Sequence, residues 1–164
     1  MMNEITKNRD HRLEEILKAR GWESLTAGTP KGLYRPVLQL GEYVWTSGHL
    51  PIRPDGSLIV GQVGEDLDEA VAAEAAALAM AGILRSLQQH LGSLDRVVRV
   101  VRLFGLVNAA TKFTAHPKVL NGASELLAEV FGPEMGVGVR TAAGAGSLPL
   151  GAAVELEAVF QVTG

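Results

Sequence analysis

The stretch RVVRVVRLFGLV, residues 96–107, constrains the fold more than any other segment of this chain. A half-solvated strand alternates apolar and polar residues with a period of two, and this run does not. Apolar side chains at both parities predict a central strand covered on both faces. Helical patterns flank it on either side. Residues 66–91 place Ala76, Met80, Ile83, Leu87 and Leu91 at helical spacing, with Asp66 and Glu69 resembling a capping box and Gly92 as the stop. Alanines in the first half of this helix allow close approach to a sheet. Residues 114–131 predict a second helix, with Pro117 in its first turn and Leu120, Ala123, Leu127 and Phe131 as its inner stripe.

The remaining segments read mostly as strands. Residues 37–40 and 43–49 (YVWTSGH) are joined by Gly41-Glu42, PIRPDG is a turn, and residues 57–60 make a further short strand. Residues 137–147 and 152–162 read as a glycine-rich hairpin turning through Leu148, Pro149, Leu150 and Gly151. Ahead of them all lies a short amphipathic helix with Asp10 as cap, Leu13, Ile16 and Leu17 as its stripe, Glu14 one turn before Lys18, and Gly21 as stop. TAGTPKG then forms a loop. The order α-ββ(β)αβαββ describes an α+β domain, a mixed β-sheet with two helices packed on one face and right-handed crossovers. The opposite face needs a cover, and a second subunit is the simplest one.

Composition narrows the function classes. The 164 residues fit one domain, and 47% hydrophobic with 20% charged residues is the balance of a folded chain. A net charge of −3 and a pI of about 5.8 leave no clustered basic face, so no nucleic-acid partner is expected. The absence of cysteine excludes disulfides, thiolate ligands and a cysteine nucleophile. The start, MMNEITKNRDHRLEEILKARG, lacks the apolar core of a secretory signal, and no apolar run reaches the roughly 18 residues of a membrane span. A cytoplasmic protein with no membrane contact is the expectation. His11, His49, His90 and His116 show no metal-ligand spacing, and there is no HExxH, GxSxG, Walker loop or helix-opening GxGxxG. Neither a metal nor a cofactor is expected.

Arg140 is the outstanding candidate, since residues 136–146 around it carry no other charge. A guanidinium among such small residues needs an anionic partner, and the small residues let a ligand approach backbone N–H groups. Two readings compete evenly: a carboxylate clamp, or a salt bridge across the hairpin to Glu155 or Glu157. Simple register puts Arg140 opposite Val159, which favours Glu157 of the two. Those glutamates share one strand face, where solubility is the commoner role. Arg99 and Arg102, three apart on a strand, are expected on opposite faces as rim residues. His11 and His90 read as exposed, and His49 as surface more readily than as a pocket border.

Tyr34 precedes a strand, Thr46-Ser47-Gly48-x-Leu50-Pro51 follows, Asn121 lies in the second helix, and Arg140…Leu148-Pro149-x-Gly151-x-x-Val154-Glu155-x-Glu157 closes the chain. In these elements residues 32–162 resemble the RidA/YjgF family, also called the endoribonuclease L-PSP or translation-inhibitor family, in a longer branch with an N-terminal helix. The resemblance divides the chain into residues 1–31, a helix and linker, and 32–164, the family's domain. It implies a chorismate-mutase-like (bacillus-type) fold, a homotrimer whose sheets form a central barrel, and ligand clefts between subunits. It also implies hydrolysis of reactive enamine or imine acids to 2-keto acids and ammonia. Arg140 would grip the substrate carboxylate with help from the Ala142 N–H, and Glu155 would orient water or move its proton. Tyr34 would wall the cleft, and Ser47 and Asn121 would shape it. Ala142 stands where cysteine is common in that family, and Arg35 is an added charge. The other classes carried forward are a non-catalytic module binding a small carboxylate metabolite, and the endoribonuclease of the family's older name.

Overall fold

The computed structural model describes residues 8–164, so the charged start at residues 1–7 lies outside the described residues. Along the chain run α1 (Arg9–Ala19), β1 (Val37–Leu40), β2 (Tyr43–Thr46), α2 (Glu69–Leu91), β3 (Val97–Asn108), α3 (His116–Phe131), β4 (Val139–Ala145) and β5 (Val154–Val162). The five strands form one sheet in the order β1-β2-β5-β3-β4. β5 runs antiparallel to both β2 and β3, and β4 is parallel to β3. The units β2-α2-β3 and β3-α3-β4 are therefore both parallel crossovers, one skipping a strand and one joining neighbours.

The C-terminal hairpin expected from the sequence does not form. β5 enters between β2 and β3, and β4 is left at the sheet edge. The connection manages this with a tight turn at Pro149–Gly151, where Leu150 (φ 57) and Gly151 (φ 72) take left-handed conformations. Arg140 accordingly pairs with Leu103, while Val159 lies between Trp45 and Arg102.

The double-parity apolar run of β3 also has a different cause from the one expected. Register shifts against β5 fall between Val97 and Arg99 and between Val100 and Arg102. Each inserts one extra residue, so Val97, Val100 and Leu103 point inward at a period of three. Beyond Leu103 ordinary alternation resumes with Gly105 and Val107. The bulges also put Arg99 and Arg102 on one face, opposite Gln161 and Val159 respectively, rather than on two.

β5 buries Val154, Leu156, Ala158, Phe160 and Val162 beneath the helices, in the predicted alternation. The predicted stripes of α2 and α3 are all buried. The two helices touch closely: a Cβ on Gly122 would lie 2.0 Å from the Ala73 carbonyl oxygen. Leu13 and Leu17 of α1 are fully buried in the same core. By length and mean hydropathy (1.5), α2 could span a bilayer, although the sequence reading found no such run; here 67% of that window is buried as the central core helix.

Local signals were displaced by tertiary contacts in several places. Asn8, not Asp10, precedes α1, and the Asp95 carboxylate accepts from the Asn8 and Arg9 N–H groups at 2.9–3.1 Å. Asp10 instead accepts from Ser93 Oγ (2.5 Å), Leu94 N (3.0 Å) and Gln88 Nε2 (2.9 Å). Glu14 pairs with Arg85 rather than Lys18. Asp68 caps α2 by accepting from Val71 N (2.9 Å), while Asp66 accepts from Gln62 N. Gly21 and Gly92 end their helices at positive φ, as expected. Residues 57–60 make only single bridges, Ile52 with Leu58 and Val60 with Ala152.

Candidate functional site

Arg140 lies on the edge strand, on the face covered by helices, since its partner Leu103 and that residue's partner Ala158 are both buried there. The side chain is exposed and leans over α3. Its Nη1 donates to Asn121 Oδ1 (2.9 Å) and Ser124 Oγ (3.1 Å). The salt bridge to Glu155 or Glu157 does not form, because β3 lies between the strand of Arg140 and β5, which carries both glutamates, and Glu157 pairs with Arg102 at 3.8 Å. Two neutral acceptors use both hydrogens of Nη1. Among the described residues, Nε and Nη2 have no partner, and together they form the edge suited to a bidentate carboxylate.

Backbone groups converge on the same place. The Ala145 carbonyl accepts from Ala109 N (3.2 Å) and so faces β3. Strand alternation then turns the N–H and C=O groups of Ala142 and Gly144 toward the free sheet edge. Gly144 lies against the His116 ring, and a Cβ there would lie 2.6 Å from Nε2, so that a side chain at this position would displace the imidazole. Arg140, Ala142 and Asn121 thus form one polar cluster between β4 and α3.

Glu155 and Ser47 come together around Gly48 at the end of β2, and the loop that carries Tyr34 is tied to Ser47. Glu155 is half-buried on the sheet face away from the helices, and its carboxylate lies flat on Gly48, where a Cβ would be 2.3 Å from Oε1. Burial, and then the neighbouring Glu157 charge, push its pKa above the ordinary carboxylate value. Ser47 donates its hydroxyl to the Arg35 carbonyl and its N–H to the Pro36 carbonyl (2.9 Å), tying the loop that carries Tyr34 to the end of β2. Tyr34 itself is 51% exposed.

The surface reading of His49 is overturned. Its backbone pairs with Leu156 in both directions, at 2.7 and 3.0 Å. Nδ1 lies 2.8 Å from the Ser47 carbonyl and Nε2 lies 2.9 Å from Ser86 Oγ. A carbonyl can only accept, so Nδ1 carries the proton and the Ser86 hydroxyl donates to Nε2. Burial lowers the pKa of this imidazole.

The six sequence candidates therefore fall into two half-sites, Arg140, Asn121 and Ala142 at one edge and Tyr34, Ser47 and Glu155 toward the other. Arg140 and Glu155 are two strands apart and on opposite faces of the sheet. Sequence reasoning missed Ser124 and Ser86. The signal for Ser124 was its place three residues after Asn121, one helical turn along the same face; Ser86 carried no local signal. Hollows of about 430 Å³ beside Arg85 and 380 Å³ beside Trp22 include neither half-site. Among the described residues, no three His, Asp or Glu side chains are grouped so as to hold a metal ion.

Comparison with known proteins agrees with this architecture. Residues 14–160 match the family model described as "YjgF/chorismate_mutase-like, putative endoribonuclease". Protein TCP17 of Trypanosoma cruzi is 36% identical over 151 residues, covering 92% of this chain and 94% of that protein. A crystal structure of a protein of unknown function from Agrobacterium tumefaciens is 33% identical with a TM-score of 0.84, covering 98% of this chain and 96% of its own. A "putative endoribonuclease" from Shewanella oneidensis is 30% identical with a TM-score of 0.86, covering 95% and 100%. The mixed five-stranded sheet with its helices is the chorismate-mutase-like fold expected from the sequence. The chain belongs to the YjgF/chorismate-mutase-like family.

Proposed function

We propose that this protein hydrolyses reactive 2-imino or enamine acids to 2-keto acids and ammonia, as a cytoplasmic homotrimer with its active site between subunits. The observation that carries the reading is the unengaged Nε/Nη2 edge of Arg140 beside the outward Ala142 N–H, a cationic fork with a main-chain donor at its side. A second copy is needed because the half-site holding Glu155 faces away from Arg140 within one chain.

In this mechanism Arg140 holds the substrate carboxylate, fixing the adjacent C=N carbon. Glu155 accepts a proton from water as the water oxygen bonds to that carbon, giving a carbinolamine. Glu155 delivers that proton to the imine nitrogen, completing the carbinolamine. It then relays the carbinolamine hydroxyl proton to the same nitrogen as the C–N bond breaks, ammonia leaves and the C=O of the keto acid forms. A carboxylate with a raised pKa suits this exchange, since its affinity for the proton is closer to neutrality. Tyr34, on the loop tied down by Ser47, walls the cleft, and Asn121 orients the clamp. Positioning and charge stabilisation supply most of the acceleration an already labile imine needs.

A second reading, a non-catalytic module for small carboxylates, is favoured by the neutral partners of Arg140, which hold the fork ready whether or not Glu155 takes part. A coupled assay separates the two. A serine or threonine dehydratase generates the imine while 2-keto acid release is timed with and without this protein. Acceleration that falls at least about 100-fold in Arg140→Ala, with an unchanged melting temperature, supports the deaminase. Binding of 2-keto acids without acceleration supports the module, and cleavage of RNA would instead favour the activity in the family description.

A further inference from the structure

We infer that Ser124 is a positioning residue for Arg140, selecting which edge of the guanidinium meets the ligand; this rests on reading Arg140 as a carboxylate clamp. Nη1 has two hydrogens, and Asn121 Oδ1 takes one. The second would be free to turn toward a ligand if Ser124 Oγ did not accept it at 3.1 Å. With both satisfied, the guanidinium plane is fixed against α3 at two points, and only the Nε/Nη2 edge remains for binding. That edge presents two parallel N–H groups, which match the two oxygens of a planar carboxylate.

The identity of the acceptors matters as much as their number. Ser124 and Asn121 are both uncharged, so they orient the guanidinium without neutralising it. A carboxylate at position 124 would hold it as firmly and would compete with the ligand. The geometry depends on α3, because residues 121 and 124 lie one turn apart and reach the same nitrogen from below. The serine hydroxyl, accepting from Nη1, keeps its own hydrogen for one further acceptor.

The test is calorimetric titration of the oligomeric protein with 2-oxobutyrate, using wild type, Ser124→Ala, Ser124→Thr, Arg140→Lys and the Ser124→Ala/Arg140→Lys double variant. Loss of a hydrogen bond to a charged group should weaken binding about three- to tenfold in Ser124→Ala, and Ser124→Thr should restore it. In the Arg140→Lys background the serine change should add little, because the planar fork it orients is gone. Wild-type affinity in Ser124→Ala, or an equal loss in both backgrounds, overturns the inference. If the wild type holds no monocarboxylate, the clamp and this role of Ser124 fall together. If it binds the keto acid and does not hydrolyse imines, deamination fails and the Ser124 result stands by itself.

Discussion

The imidazole of His49 has both nitrogens engaged, Nδ1–H donating to the Ser47 carbonyl and Nε2 accepting from the Ser86 hydroxyl. Protonation would turn Nε2 into a donor and oblige the serine to reverse its role, and burial opposes the charge as well. The folded pKa therefore lies below the ordinary 6.5. A histidine with a depressed folded pKa contributes stability that is present above its unfolded value and lost as the pH falls through 6.5 toward the folded value. Thermal melts should show the protein less stable near pH 5 than near pH 7.5, and His49→Gln should remove part of that difference. An unchanged pH dependence in His49→Gln would show that other groups produce it. Glu155 acts in the opposite sense, its raised pKa giving a contribution present at low pH and lost as the pH rises through the folded value.

At the scale of elements, the contact between α2 and α3 depends on small residues. Ala72, Ala75, Ala76 and Ala79 are buried along α2, and Gly122 of α3 approaches the Ala73 carbonyl too closely for any side chain. The atom in the way is backbone, so it cannot swing aside. Gly122→Ala gains helix propensity and should still destabilise the protein by about 2–3 kcal/mol in a chemical melt. A stabilised variant would mean that the helices can separate without cost. The same contact sets the height of α3 above β4, and with it the reach of Asn121 and Ser124 to Arg140. The bulges of β3 are a second device at this scale, turning Arg99 and Arg102 onto the sheet face that carries no helix.

For the whole molecule, the helix-free sheet face is the surface the proposed trimer has to cover. Leu38 and Leu40 of β1 and Tyr43 and Trp45 of β2 are each more than 40% exposed there, an apolar patch that no helix among the described residues covers. Trp45→Asp should leave the monomer folded, shift it to a smaller species in sedimentation, and abolish imine hydrolysis, because the two half-sites no longer meet. Full activity in a monomeric variant would place the reaction within one chain. Retention of the oligomer would put the interface elsewhere.

Periodicity and local chemistry were enough to read the helices, their inner stripes, the glycine stops at Gly21 and Gly92, the alternation of β5 and the isolation of Arg140. These depend on neighbours within a turn or two, which the chain itself specifies. Pairing of β4 with β3 instead of β5, the bulges in β3, the remote capping of α1 by Asp95, the burial of His49 and the seat of Arg140 on Asn121 and Ser124 were decided only in three dimensions. Each of them is a contact between residues distant along the chain, or a choice between strand partners whose local patterns are alike. Hydrophobic alternation tells a strand which face to bury and leaves open which neighbour supplies its hydrogen bonds.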